Sequence, residues 1–219
     1  MSEHEVFRSL QDVGAILKGH FVGTSGKHLD TYVNKDAIYP HVSLVSFLCA
    51  EIMNRFTKDC GAAGVGVDYE IVVGPEKGGI ILAQWTAYNS AHWRAQGSEI
   101  LAVYAEKDGD GFVFRRGYDK LIAGRRVLVV EDVLTTGGSV GKVVNAVRKL
   151  DGNIIGVGAI CNRGGVTAKD IGGVPKLEAL LNLQLESWEE ASCPMCAQGI
   201  PINTDVGKGR EFLARKQGA

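Results

Sequence analysis

The sequence predicts an α/β fold: a central parallel sheet flanked by helices, with a small N-terminal hood. Three observations carry this. Between residues 70 and 165, short β-branched apolar runs alternate with stretches of helical periodicity, the rhythm of a parallel sheet covered on both faces. The strand runs are nearly continuous in apolar residues, as strands buried on both faces must be. The 29 glycines among 219 residues, about twice ordinary usage, cluster at the ends of these runs, where the chain has to turn.

Taken in order, Val6, Leu10, Val13 and Leu17 recur at helical spacing and predict a helix over residues 5–17, stopped by Gly19. Residues 21–35 read as an irregular hairpin or extended pair around Ser25-Gly26-Lys27. Pro40 opens a second helix at its first turn, with Val45, Leu48, Ile52, Met53 and Phe56 on the buried face, and residues 61–66 form a loop. Glu70-Ile71-Val72-Val73 is the first sheet strand, closed by Gly74-Pro75. A helix over 79–93 and a second strand over 99–104 follow, then a polar loop over 107–111 and a short strand at Phe112-Val113-Phe114. Residues 125–130 lead into the third main strand. Val140, Val143, Val144, Val147 and Leu150 mark the next helix, ended by Asp151-Gly152. Residues 154–161 form a fourth strand and 178–183 a fifth. One domain over 1–219 is expected: N-terminal helices and hood (1–65), core (66–185) and a polar C-terminal appendage (186–219).

Composition narrows the function. A chain of 219 residues, 45% hydrophobic, builds a core without disulfide staples. A formal net charge of -1 argues against a nucleic-acid partner, because counterion release needs a basic surface. No apolar run approaches the ~18 residues of a membrane span. The start, Met1-Ser2-Glu3-His4-Glu5, is acidic and polar, unlike a signal peptide. Five irregularly spaced cysteines fit a reducing cytoplasm better than a secreted framework.

The chemistry concentrates in Val127-Leu128-Val129-Val130-Glu131-Asp132-Val133-Leu134-Thr135-Thr136-Gly137-Gly138-Ser139. A buried strand is expected to leave the sheet at two adjacent carboxylates, and a loop of small residues then opens a helix. Ligands of open α/β sheets bind at the carboxyl ends of strands. Backbone N–H groups at a helix N-terminus suit a phosphate, and the hydroxyls of Thr135, Thr136 and Ser139 add donors. The acidic pair repels a phosphate but accepts hydrogen bonds from a sugar diol. A diol clamp beside a phosphate cradle describes a ribose 5-phosphate site. Other phosphate motifs fail: Gly23-Thr24-Ser25-Gly26-Lys27 lacks P-loop spacing, and Gly64-Val65-Gly66 and Gly156-Val157-Gly158 lack the third glycine of a dinucleotide fingerprint.

Residues 127–139 resemble the phosphoribosyl-pyrophosphate motif of the type I phosphoribosyltransferases, and over residues 16–165 the chain is most similar to the orotate phosphoribosyltransferases. The resemblance implies that Glu131 and Asp132 hold the ribose hydroxyls and act in catalysis. It implies that Thr135, Thr136, Gly137, Gly138 and Ser139 wrap the 5-phosphate. Gly74-Pro75-Glu76-Lys77-Gly78-Gly79 resembles the pyrophosphate loop, so Glu76, Lys77 and Gly78 are expected on the pyrophosphate. The family's mobile loop matches residues 105–116, with Lys107 as catalytic cation and Arg115 or Arg116 adding charge; the family's histidine is missing there. Ser25-Gly26-Lys27-His28 with Tyr32 resembles the hood that faces the base, although Thr24 stands where many members carry lysine. Lys27, Tyr32, Thr135 and Arg163, an arginine at a strand's carboxyl end, are the expected base contacts. Mg²⁺ is the implied cofactor, phosphoribosyl pyrophosphate and a nitrogenous base are the substrates, and a homodimer is the implied assembly. Orotate is the favoured acceptor. The alternatives are a purine, xanthine or uracil transferase, or a non-catalytic regulator that binds the same donor. Cys193-Pro194-Met195-Cys196 reads as half a zinc site, a redox pair or a plain structural turn. The histidines show no metal spacing along the chain, so no protein-held metal is expected, and Cys49, Cys60 and Cys161 read as core residues.

Overall fold

The computed structural model describes residues 1–59, 65–91 and 99–217. In chain order its elements are α1 (Glu3–Asp12), β1 (Ile16–Val22), β2 (His28–Val33), α2 (Val42–Arg55), β3 (Thr57–Asp59), β4 (Val65–Val67), β5 (Ile71–Pro75) and α3 (Gly78–Ser90). There follow β6 (Leu101–Asp108), β7 (Gly111–Val113), α4 (Tyr118–Ile122), β8 (Arg126–Leu134), α5 (Gly138–Arg148) and β9 (Asn153–Asn162). β10 (Leu177–Asn182), β11 (Ser187–Trp188), α6 (Pro194–Ala197) and α7 (Gly209–Gln217) complete the chain. Two compact units share it: Met1–Val6 with His41–Leu183, and Phe7–Pro40 with Gln184–Ala219.

The first unit is built on a six-stranded sheet of order β10-β9-β8-β5-β6-β7. Every adjacent pair is parallel except β6 and β7, so the expected parallel sheet is present. Both faces are covered. Val127 and Val129 of β8 share a core with Val140, Val143, Val144 and Val147 of α5. Leu128 and Val130 alternate to the other face and are equally buried. There the glycines of β9 let α2 come close: a Cβ on Gly158 would stand 2.4 Å from Ile52, and one on Gly156 would stand 2.5 Å from Phe56. Glycine in a strand interior marks close approach of a neighbour.

Several boundaries differ from the sequence reading, each for a local reason. Strand β8 continues to Leu134, because pairing with β9 persists to Leu134↔Asn162. Glu131 and Asp132 therefore lie inside the strand, where exit from the sheet was expected. Residues 107–111 are not a plain loop. Asp108 pairs with Gly111 in a β6–β7 hairpin, and Gly109 at φ 56 fills the first central position of the turn, where glycine is favoured. Helix α3 starts at Gly78, and residues 92 and 93 of the expected helix lie outside the described residues, as do Cys60, His92 and residues 61–64 of the expected loop. Val65 and Gly66 instead pair with β3. Cys49 and Cys161 are buried as expected.

The second unit is a three-stranded antiparallel sheet of order β1-β2-β11. The first helix stops early, at Asp12, because Gly14 turns at φ 72 and its N–H bonds Gln11 O. Leu17 then belongs to β1. The hairpin expected around Ser25-Gly26-Lys27 forms between β1 and β2. The C-terminal segment adds β11 to it, pairing Trp188 with His28. That pairing draws Cys193 and Cys196, whose spacing offered half a zinc site, to His20 and His28, whose spacing along the chain gave no sign of it.

Gly158→Ala is expected to destabilise the protein by about 1–3 kcal/mol through overpacking against α2, read as a lower midpoint of urea unfolding. Gly111→Ala, whose Cβ would come no nearer than 3.6 Å to any neighbour, should move the midpoint little.

Candidate active site

The strand order creates the site. From β5 the chain moves one way to β6 and later the other way to β8, so the order reverses at the carboxyl ends of β5 and β8. Such a reversal leaves a crevice where ligands bind. β5 and β8 pair only as far as Val73↔Val129. Beyond that point β5 turns into α3, while β8 runs on along β9.

The β5 side is formed by backbone crowding. A Cβ on Gly74 would stand 1.9 Å from Gly79 O, and one on Gly79 would stand 2.6 Å from Pro75. Only glycines allow α3 to begin so close to the strand end. Pro75-Glu76-Lys77 is thereby held at the crevice, with a cis Glu76–Lys77 peptide. Glu76 donates its N–H to Ala105 O at 3.0 Å, and its carboxylate accepts the Lys107 N–H at 2.9 Å. The loop is thus tied to β6, and the Glu76 side chain serves that tie. Lys77 precedes the first turn of α3 and is exposed.

On the β8 side, Glu131 is 8% and Asp132 2% exposed. Buried carboxylates require hydrogen-bond donors. The Asp132 N–H donates to Glu131 Oε1 at 3.0 Å, and the Val133 N–H to Asp132 Oδ1 at 2.7 Å. Thr135 and Thr136 follow, exposed. Gly137 then turns at φ 72 to cap α5, packed so that a Cβ would strike Ile171 at 2.6 Å and Val166 at 2.9 Å. The first-turn N–H groups of α5 face outward with the helix's positive end, and Ser139 is exposed beside them. This loop has the chemistry of an anion cradle.

β9 delivers Arg163. Its N–H bonds Leu134 O at 2.9 Å, and its Nε donates to Thr135 Oγ1 at 3.0 Å. Gly164 lies on the same backbone: a Cβ there would stand 1.6 Å from Thr135 O. Two expected base contacts, Thr135 and Arg163, are therefore in direct contact. Asn162 shapes this turn and had no role in the sequence reading. It is buried, donates from Nδ2 to Val166 O at 2.9 Å and accepts the Val166 N–H at 3.0 Å. A polar residue closing an apolar strand was the available signal. Burial pushes the neighbouring Cys161 thiol up to about 12, which keeps it protonated and inert.

The remaining expected residues lie on the hairpin and in the second unit. Lys107 is exposed on β6. Arg115 pairs with Asp108 at 3.0 Å, and Arg116 with Glu106 at 3.0 Å. Exposed pairs of this kind are screened by water and salt. Lys27 stands 3.4 Å from Glu189, and Tyr32 packs on Phe21 at 5.6 Å between ring centroids, both within the second unit.

Residues 49–182 match the profile of the phosphoribosyl transferase domain. Two orotate phosphoribosyltransferases are similar over nearly the whole chain. That of Caldanaerobacter subterraneus subsp. tengcongensis is 38% identical over 92% of this chain and 96% of its own. That of Pelotomaculum thermopropionicum is 39% identical over 92% and 95%. The crystal structure of the Francisella tularensis orotate phosphoribosyltransferase shares the fold, with a TM-score of 0.59 at 18% identity over 98% of each chain. With the phosphoribosyl transferase profile matched over residues 49–182, relatives 38–39% identical over 92% of the chain, and an acidic pair on β8 followed by a small-residue loop at the start of α5, the protein belongs to the phosphoribosyltransferase family, among its orotate phosphoribosyltransferases.

Proposed function

We propose that the protein transfers the 5-phosphoribosyl group of phosphoribosyl pyrophosphate to orotate, giving orotidine 5′-phosphate and pyrophosphate. The observation that carries this reading is the strand–loop–helix from Arg126 to Arg148. It puts two buried carboxylates and an anion cradle in series at the reversal point of the sheet. The C1–oxygen bond to pyrophosphate breaks and a bond to a ring nitrogen of the base forms, through a cationic ribosyl state, as that nitrogen gives up its proton to solvent or the departing pyrophosphate. Glu131 and Asp132 accept the ribose hydroxyls and offset positive charge on the ring. The α5 N-terminus, with Thr135, Thr136 and Ser139, anchors the 5-phosphate, which fixes the distance from C1 to both partners. Lys77, with Lys107 and Arg115 from the hairpin, stabilises the departing pyrophosphate.

The donor set here is hard oxygen, two carboxylates beside substrate hydroxyls and phosphates, which fits Mg²⁺. When bound, Mg²⁺ draws charge from the pyrophosphate oxygens. Arg163, already oriented by Thr135, presents a planar fork of donors suited to the orotate carboxylate. The working assembly is a homodimer: Val42 and Phe47 of α2 and Ile81 and Tyr88 of α3 are large apolar side chains left exposed on two helices that pack together, a surface suited to a second copy. Among the described residues no helix is long and apolar enough to cross a membrane. Free thiols at Cys49, Cys161, Cys193 and Cys196 suit the reducing cytoplasm.

Incubation with phosphoribosyl pyrophosphate, Mg²⁺ and each of orotate, uracil, adenine and hypoxanthine tests the reading. The ratio of kcat/KM for orotate over uracil should be at least ~10³, because uracil leaves the arginine charge uncompensated. Arg163→Ala should raise KM for orotate far more than KM for the donor and narrow that ratio. Preference for another base would replace orotate as acceptor.

Asp132→Asn should weaken donor binding and turnover by about 10- to 100-fold, the worth of one charge-assisted hydrogen bond of about 1.5–3 kcal/mol, with an unchanged circular dichroism spectrum. Wild-type kinetics would remove the acidic pair from the site.

Sedimentation should give a mass near twice that of one chain. Phe47→Glu with Tyr88→Lys should shift it toward the monomer; a wild-type monomer would rule out the dimer.

A further inference from the structure

We propose that His20, His28, Cys193 and Cys196 bind a structural zinc ion that fastens the C-terminal segment to the β1–β2 hairpin. The four ligand atoms lie within 4.8 Å of one another. Three of the residues are buried, with exposures of 2% for His20, 0% for His28 and 3% for Cys193. Around zinc, bonds of roughly 2.3 Å to sulfur and 2.0–2.1 Å to nitrogen give tetrahedral N···S edges of about 3.5 Å. The observed N···S separations are 3.6 Å from Cys193 to His20, 3.8 Å from Cys196 to His20 and 3.4 Å from Cys196 to His28. The edge between His20 Nε2 and His28 Nδ1 is 2.7 Å; an ion would open it by about half an ångström. These three N···S edges already have the size of the coordination shell.

The surroundings prepare the ligands. His20 Nδ1 lies 2.7 Å from Ile200 O. A carbonyl only accepts, so Nδ1 carries the proton, and the lone pair is left on Nε2, facing the two sulfurs. A backbone carbonyl behind a histidine is the usual device for orienting a metal ligand. Cys193 and Cys196 are presented by a single tight turn: Pro194 starts α6, the Ala197 N–H bonds Cys193 O at 3.1 Å, and the Ile200 N–H bonds Met195 O at 2.9 Å. The same turn thus positions both thiols and the carbonyl that orients His20. Among the described residues His28 Nε2 is buried with no hydrogen-bond partner, so its other nitrogen, Nδ1, is the polar contact that remains to it.

Two imidazoles and two thiols, all from protein and mostly buried, make a closed site. Closed tetrahedral sites of this composition are structural zinc sites, whereas catalytic ones keep an open position. The ion would join segments 168 residues apart in sequence, from His28 to Cys196, in a unit whose sheet has only three strands. Small units with little core are where a metal adds most to stability. Because Lys27 immediately precedes His28, the ion would also set the hairpin end that carries this expected base contact.

The test is elemental analysis of the full-length protein, purified without chelator from zinc-supplemented cells. About one zinc per chain is expected. Cobalt substitution should give the visible d–d bands of tetrahedral Co²⁺ with a thiolate charge-transfer band. Cys196→Ser and His28→Ala should each lower the zinc content at least tenfold at equal dialysis, and chelation of the wild type should lower its Tm. Metal-free protein that also takes up no cobalt overturns the proposal, as does a Cys193–Cys196 disulfide found by alkylation and mass spectrometry. Both results are read on the wild type and do not depend on any variant folding. Retention of one zinc by both variants would likewise overturn it.

Discussion

The approach of backbone to backbone at Gly74 and Gly79 is the contact on which the active-site crevice depends. A side chain at either position would strike main chain or Pro75, and relaxing that clash means moving α3 away from the end of β5. With the two glycines in place, β5 parts from β8 after Val73↔Val129 but stays paired with β6 through Pro75↔Ala105, and α3 begins at Gly78. β8 then continues with one edge open. The buried pair Glu131 and Asp132 lies on this part of β8, beyond the end of its pairing with β5. The turn itself is held by Glu76, which bonds both Ala105 and Lys107, so the turn after β5 and the β6–β7 hairpin are braced against each other.

Register supplies the second constraint. Leu134 pairs with Asn162, so Thr135 and Arg163 are the first residues to leave adjacent parallel strands. They come out side by side, and the Arg163–Thr135 hydrogen bond follows from that. A hydrogen bond to a charged group is worth about 1.5–3 kcal/mol in buried settings and less where water competes, as at this half-exposed arginine. Its value here is orientation: a guanidinium fixed in one direction loses less entropy when it meets a carboxylate. Asn162, fully engaged with Val166, keeps the turn from shifting.

The second unit obeys different physics. Its sheet has one two-residue strand, β11, and its buried polar cluster of two imidazoles and two thiols fills space that a larger unit would give to apolar side chains. Polar groups brought that close in a buried setting are costly unless something satisfies them together. That requirement is what makes the cluster informative, while Met195 of the same segment is buried beside it as an apolar contact.

Much of the first unit was legible because its determinants are local. Runs such as Val127–Val130 declare a strand through neighbouring residues. The spacing of Val140, Val143, Val144 and Val147 declares a helix, and Thr135–Ser139 declares the anion cradle in one continuous stretch. Where boundaries moved, a partner moved them: β8 was lengthened by β9, and the expected loop at 107–111 was drawn into a hairpin by its own pairing. The expected first helix ran too long because Gly14, at φ 72, already turns the chain after Asp12, and Gly19 lies within β1. By itself the sequence determined the alternation of β5, α3, β6, β8, α5, β9 and β10 and the acidic pair followed by a small-residue loop, since each rests on residues a few positions apart, but not β3, β4 or α4. Only the tertiary structure decided that Arg163 meets Thr135 and that His20 and His28 meet Cys193 and Cys196. Those meetings depend on which strands pair and in what register, and pairing energy is summed over long-range contacts that no local pattern records.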